Sequence, residues 1–256
     1  MRVSCAAYSF RQYLQSGEMS LEDFIRKGYE MGLDGVELTA YYFPTTEGEY
    51  LKRLKRQALA YGLDIAGTAM GGSFAQPDEA RAEQVALARQ WVDVSVALGA
   101  PCLRVFAGPV PEGHTEEEAM TWCIAGLKEA AEYAEQKGVV LALENHGGIT
   151  ATFEQVRQLV EGVGSDWLRV NLDVGNYRTD PYREIAETVG CAVTTHVKTQ
   201  GRDALGQPFL LDYPRIFQIL REKGYKGYLS IEYEAKELPL LAVPRFVAYL
   251  RSLSAW

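Results

Sequence analysis

Short runs rich in Val, Ile and Leu alternate along the chain with longer stretches whose apolar residues recur at helical spacing, and the alternation repeats eight times. The short runs predict strands at 3–9, 35–39, 64–69, 102–106, 139–144, 168–173, 192–198 and 228–233. Most are too short and too evenly apolar for an exposed antiparallel sheet, and fit parallel strands buried on both faces. The stretches between them, among them 20–31, 48–61, 77–98, 116–137, 153–161 and 213–223, predict amphipathic helices. Ser20 and Thr115 stand as caps ahead of acidic first turns, and Pro77-Asp78-Glu79 opens the third of these helices. Gly32, Gly62, Gly99 and Gly138 fall where a helix must stop and the chain turn into the next strand.

Eight such βα units either close into a barrel or lie open as a doubly wound sheet. An open dinucleotide-binding sheet would carry a Gly-rich phosphate turn after its first strand. Here Tyr8-Ser9-Phe10-Arg11 follows instead, and no G-x-G-x-x-G or Walker pattern occurs anywhere. Ionisable residues gather at the ends of the last four strands, as they do on the C-terminal rim of a barrel. The expected fold is therefore an α/β, single-domain (β/α)₈ TIM barrel spanning residues 1–256, a length that suits one barrel and shows no composition shift.

Each of those four strand ends offers one potential metal ligand: Glu144 in Glu144-Asn145-His146, Asp173 in Asp173-Val-Gly175-Asn176, His196 in His196-Val-Lys198, and Glu232 in Ile231-Glu232. One acidic residue at a strand end is commonly a cap or an ion-pair partner. Four ligand types on consecutive strands are better explained by a shared cation, because isolated carboxylates at an apolar mouth are costly to leave ionised. Three carboxylates and one imidazole favour one divalent metal ion, Mn²⁺ or Mg²⁺, with Zn²⁺ or Co²⁺ admitted by the imidazole.

With these motifs and Gly35-Val-Glu37-Leu, the chain resembles, over essentially its whole length, the xylose isomerase-like barrels of the sugar phosphate isomerase/epimerase family. That family includes ketose 3-epimerases, hydroxypyruvate isomerases and inosose or dehydroshikimate dehydratases. The resemblance implies that Glu144, Asp173, His196 and Glu232 bind the metal and that Glu144 and Glu232 also act as the catalytic acid and base. In the epimerases an Arg six residues beyond the His grips substrate, and Arg202 holds that offset. Many members carry His where this chain has Asn176, and Asp where it has Thr199. Endonuclease IV shares the barrel but needs a trinuclear zinc cluster, for which the three histidines His114, His146 and His196 are too few.

The implied reaction is proton abstraction beside a sugar carbonyl through a metal-stabilised enediolate. A metal-dependent dehydratase, expelling a β-hydroxyl from the same enediolate, is the alternative, and a barrel that binds a metabolite without turning it over is the third reading. Further substrate-binding candidates are His146, Asn176 and Lys198, with Lys198 read also as a structural ion-pair partner of Glu232 or Glu234, His146 also as a buried structural residue, and Glu37 and Arg104 either as substrate contacts or as an internal ion pair orienting the site. Tyr8, Phe10, Tyr41 and Phe106 are pocket walls or plain core.

A net charge of −8 makes nucleic acid and anionic membranes poor partners, leaving a small-molecule sugar or polyol. No signal-like or membrane-spanning run appears, and Cys5, Cys102, Cys123 and Cys191 are too scattered for a disulfide framework, so a cytoplasmic setting is expected. Homo-oligomers are frequent in the resembled family.

Overall fold

In the computed structural model, which describes residues 1–254, the apolar runs become strands whose two faces are both covered. The strands are β1 (Arg2–Ala6), β2 (Gly35–Thr39), β3 (Asp64–Ala69), β4 (Cys102–Phe106), β5 (Val140–Glu144), β6 (Leu168–Asp173), β7 (Ala192–Val197), a short pair β8 (Gln200–Arg202) and β9 (Pro208–Leu210), and β10 (Tyr228–Ile231). Eight of them close a parallel barrel in the order β1-β10-β7-β6-β5-β4-β3-β2. Along β5, Leu141 and Leu143 are fully buried against the helical layer, while Glu144, one residue on, projects into the barrel mouth by the two-residue period of a strand.

The outer layer comprises α1 (Arg11–Ser16), α2 (Leu21–Glu30), α3 (Gly48–Ala60), α4 (Asp78–Leu98), α5 (Glu116–Lys137), α6 (Phe153–Val163), α7 (Pro181–Thr188), α8 (Tyr213–Glu222) and α9 (Pro239–Ser254). Capping boxes close α2 through Ser20 and Asp23 and α5 through Thr115 and Glu118, as the acidic first turns predict. Gly99 and Gly138 end α4 and α5 in the left-handed conformation.

Two local differences from the sequence reading bear on the mouth. Strand one stops at Ala6, and Ala7–Phe10 forms a 3₁₀ turn. There Ser9 Oγ donates to the Ile231 carbonyl and accepts from the Tyr233 amide, both at 2.9 Å, so side-chain bonds replace strand pairing. Phe10 is core, tilted against Phe24 at 5.6 Å. The segment after β7, for which the sequence predicts no strand, contains the antiparallel pair β8–β9.

The four cysteines are free, three of them buried and Cys191 half-buried. Among the described residues no helix is long and apolar enough to cross a membrane.

Candidate active site

Parallel register brings the strand ends level. Glu144 on β5 pairs with Asn171 on β6, Asp173 on β6 with His196 on β7, and His196 with Ser230 on β10. Glu144, Asp173, His196 and Glu232 each offer one ligand atom, and these four atoms all lie within 4.8 Å of one another. All four side chains are buried. The expected convergence is therefore a feature of the fold.

Each member is held from behind. Glu144 Oε2 takes the Arg104 guanidinium at 3.2 Å and the Asn171 amide at 3.1 Å. Arg104 also donates to the Met70 carbonyl at 2.9 Å and stacks on Phe106 at 3.9 Å. The Asn145 side chain accepts from the Asp173 amide at 2.8 Å and donates to its carbonyl at 2.9 Å, clamping the ends of β5 and β6. Asp173 Oδ1 accepts from the Gly175 amide at 2.8 Å. A Cβ on Gly175 would sit 3.2 Å from Lys198 Cδ, so glycine lets the lysine stem pass.

Lys198 spans the open side. Its ammonium lies 3.0 Å from Asp173 Oδ2, 3.0 Å from Glu232 Oε2 and 2.9 Å from Glu234, and donates to Asn176 Oδ1 at 3.3 Å. Asn176 in turn donates to the Asn145 carbonyl at 2.9 Å. Glu37 and Arg104 do not form the internal pair considered from sequence. Glu37 meets His196 and Arg104 meets Glu144, and both are buried at 3% exposure.

Burial works against every charge here, and neighbours decide the outcome. Burial opposes ionisation of Glu144, but His196 and Arg104 outweigh it and hold the carboxyl well below the usual range. For Glu232 the same opposition is overcome by His196 and Lys198. Burial pushes Asp173 up to about 7, because Lys198 only partly offsets it while Glu144 and Glu232 repel the charge. Burial would lower His196, yet Glu37, Glu232 and Glu144 raise it well above an ordinary imidazole.

Two observations test whether a cation fits. His196 Nδ1 is buried without a hydrogen-bond partner, 3.4 Å from Glu144 Oε2 and 3.5 Å from Glu232 Oε1. Around it four buried carboxyl groups, Glu37, Glu144, Asp173 and Glu232, outnumber the two permanent cations, Arg104 and Lys198. A divalent ion bound there would replace the proton that His196 otherwise holds, and the O₃N donor set suits one.

The remaining candidates line the approach. The exposed His146 ring packs on Phe106 at 4.4 Å, and both border a cavity of about 210 Å³ with Gly72, Gly108 and Gly148. A larger cavity of about 820 Å³ opens beside Glu234 and is lined by Arg202, Tyr233, Arg245 and Tyr249, among others. Arg202 lies on β8, exposed, donating to the Gly206 carbonyl at 2.9 Å within its own hairpin. Asn145, Asn171 and Glu234 were not singled out as site residues from sequence. Asn145 adjoins the proposed ligand Glu144, its only signal, whereas Glu234 was considered only as an ion-pair partner of Lys198, which it is.

Fold and cluster together define an α/β-barrel protein with a carboxylate-rich candidate metal centre at its C-terminal rim. The chain belongs to the xylose isomerase-like TIM barrel family, whose model matches residues 25–253. It is 29% identical over 238 residues to the Homo sapiens protein named "Putative hydroxypyruvate isomerase", covering 83% of each chain. The solved structure of an L-ribulose 3-epimerase superposes with a TM-score of 0.82 at 20% identity, over 98% of this chain and 94% of that one. D-psicose 3-epimerase from Clostridium cellulolyticum H10 superposes with a TM-score of 0.83 at 16% identity, over 99% of both. The names of these proteins are those of isomerases and epimerases.

Proposed function

We propose that the chain is a divalent-metal-dependent sugar isomerase or epimerase, in which Glu144, Asp173, His196 and Glu232 hold the ion, Mn²⁺ or Mg²⁺ by their chemistry. The observation that carries this reading is the buried four-ligand cluster with its unpartnered His196 Nδ1. Family membership and the names of the relatives point the same way.

A bound divalent ion would supply Lewis acidity, lowering the cost of negative charge on a carbonyl oxygen beside it. The chain's own groups do the rest. Glu144 and Glu232 project from β5 and from the end of β10, with β6 and β7 between them, so their carboxylates border one space from two sides. One removes the proton from the carbon next to the carbonyl and the other returns a proton to the enediolate; return to the opposite face of the same carbon is epimerisation, and return to the neighbouring carbon is isomerisation. Arg104 and Lys198, paired with these carboxylates, keep them ionised and ready to accept. Lys198 and Asn176 on one side and His146 on the other are the proposed contacts for substrate hydroxyls. Arg202, which borders a small cavity together with Lys198 and Glu234, is a further proposed contact. Phe106 offers an apolar face to the carbon chain.

The test is to incubate Mn²⁺-loaded protein with three- to six-carbon hydroxyketones in deuterated water. Deuterium should enter carbon adjacent to the carbonyl, and Glu144→Gln or Glu232→Gln should lower turnover by about 10²–10⁴-fold. Protein that binds no Mn²⁺, or that exchanges no carbon-bound proton, would overturn the proposal. Loss of water with a rising enone absorbance would assign the dehydratase chemistry instead.

A further inference from the structure

Glu37 is a buried carboxylate that comes from the far side of the barrel to reach the cluster. Its strand, β2, pairs with β1 and β3, whereas His196 lies on β7 between β6 and β10. Val36 and Leu38 are fully buried; a Cβ on Gly28 of α2 would meet Val36 Cγ1 at 2.8 Å, so Val36 faces the helices and Glu37, by alternation, faces the axis. The register of β2 against β3 shifts between Val36 and Glu37, setting Glu37 opposite Gly67. A Cβ at Gly67 would lie 3.1 Å from Cys102 Sγ but at ordinary contact distance, 3.9 Å, from Glu37 Cγ, so the glycine makes room for Cys102 beside the Glu37 stem.

At the end of that stem both carboxylate oxygens lie 3.1 Å from His196 Nε2, and Ser230 Oγ donates to Oε2 at 3.3 Å. An ionised carboxylate can only accept. The Nε2 it touches must therefore carry the hydrogen, and in the neutral ring the lone pair then falls on Nδ1, the atom that faces Glu144 and Glu232.

We infer that Glu37 is a positioning residue that fixes the orientation and tautomer of His196 so that Nδ1 is the ligating nitrogen; the inference rests on the metal-site reading above. A carboxylate kept only to stabilise the fold is a poor explanation, because burying this charge costs more than an apolar side chain of similar size would. Its place against one specific ring nitrogen is the arrangement that orients metal-bound imidazoles.

Mn²⁺ affinity measured by calorimetry on wild type and Glu37→Gln is the first test. The variant should bind about 10–100-fold more weakly. Equal affinity within twofold, in a folded variant with an unchanged circular dichroism spectrum, would overturn the inference and leave the metal site standing.

Nitrogen-15 labelling of histidine gives a readout independent of activity and of any variant, since only His114, His146 and His196 contribute signals. In Zn²⁺-loaded wild type the His196 ring should show a protonated Nε2 and a ligated Nδ1; the reverse would sink the inference even if Glu37→Gln failed to fold. Ser230→Ala, a milder change, should weaken Mn²⁺ binding severalfold by loosening Glu37. Wild type that binds neither ion would remove the metal-site reading and this inference with it, whereas normal wild-type binding with the reverse tautomer removes the inference alone.

Discussion

The two ends of the barrel use the same kinds of side chain under opposite conditions. At the N-terminal end Arg2 pairs with Asp64, their side chains 51% and 52% exposed, and Arg251 reaches Asp34 at 3.2 Å across the surface. At the C-terminal end Arg104 pairs with Glu144 at 4% and 1% exposure, within a cluster that also holds Glu37, Asp173, His196, Lys198 and Glu232. Water solvates the first set whether or not it is paired, so each bridge stabilises little. The second set has lost its water, and every charge there must be answered by another or the fold suffers. Seven buried ionisable groups at one end of a barrel whose other end keeps its charges wet are a cost that chemistry explains and folding does not.

The largest effect expected from this contrast is at Arg104. Replacing it by Ala removes the ion pair to Glu144, the bond to the Met70 carbonyl and the stack on Phe106 together. Glu144 is left buried with only His196 and Asn171 to answer its charge, and stability should fall by about 3–5 kcal/mol, or roughly 10 °C in melting temperature. Thermal melts of metal-free protein read this directly. A loss below about 1 kcal/mol would mean that water reaches Glu144, and the distinction between the two ends would collapse.

Asp173 should respond the other way. Its folded pKa, about 7, lies above the ordinary 3.8, so folding disfavours its charged form. The penalty is absent below about pH 4, grows as pH rises, and is complete above about 7. Asp173→Asn should thus leave metal-free protein about 1 kcal/mol more stable than wild type at pH 8, with the gap closing toward pH 4, while Mn²⁺ affinity drops by about 100-fold or more. A melting temperature lower than wild type at pH 8 would show that the Lys198 pairing outweighs the burial of Asp173.

The contrast between the ends also marks what was legible in the sequence. The eight strands could be read because a strand covered on both faces is largely apolar, as β5 is up to its last residue, and their ends fall within a few residues of the expected ones. Glu144, Asp173, His196 and Glu232 could be read because each interrupts such a run at its last turn or just beyond. Barrel closure is what brings Glu37 to His196 across 159 residues, and no local pattern encodes that meeting; sequence suggested Arg104 as the partner because both end early strands. The Asn145 clamp depends on register between β5 and β6, which a list of polar residues does not contain. Helix α9 is obscured by Pro244 in its interior, where proline ordinarily argues against a helix. The β8–β9 pair is three residues a side, too short for alternation to show.

The smallest expected effect is at Arg2, and it is the sharpest check on the comparison because Arg2 and Arg104 carry the same guanidinium. Arg2 also lies over the Tyr228 ring at 4.9 Å and donates to the Asp34 carbonyl at 3.2 Å, so truncation to Ala would mix packing with charge. Arg2→Met keeps the stem over the ring and removes the guanidinium, its charge and its donors together. Combined with Asp64→Asn in a double-mutant cycle, it should give a coupling of about 0–1 kcal/mol in urea denaturation. The coupling should shrink further in 1 M NaCl, where the screening length is about 3 Å. A coupling above about 2 kcal/mol that resists salt would mean that exposed pairs at this end hold the barrel closed as firmly as buried ones hold the site. Burial would then have ceased to be what separates the scaffold from the chemistry.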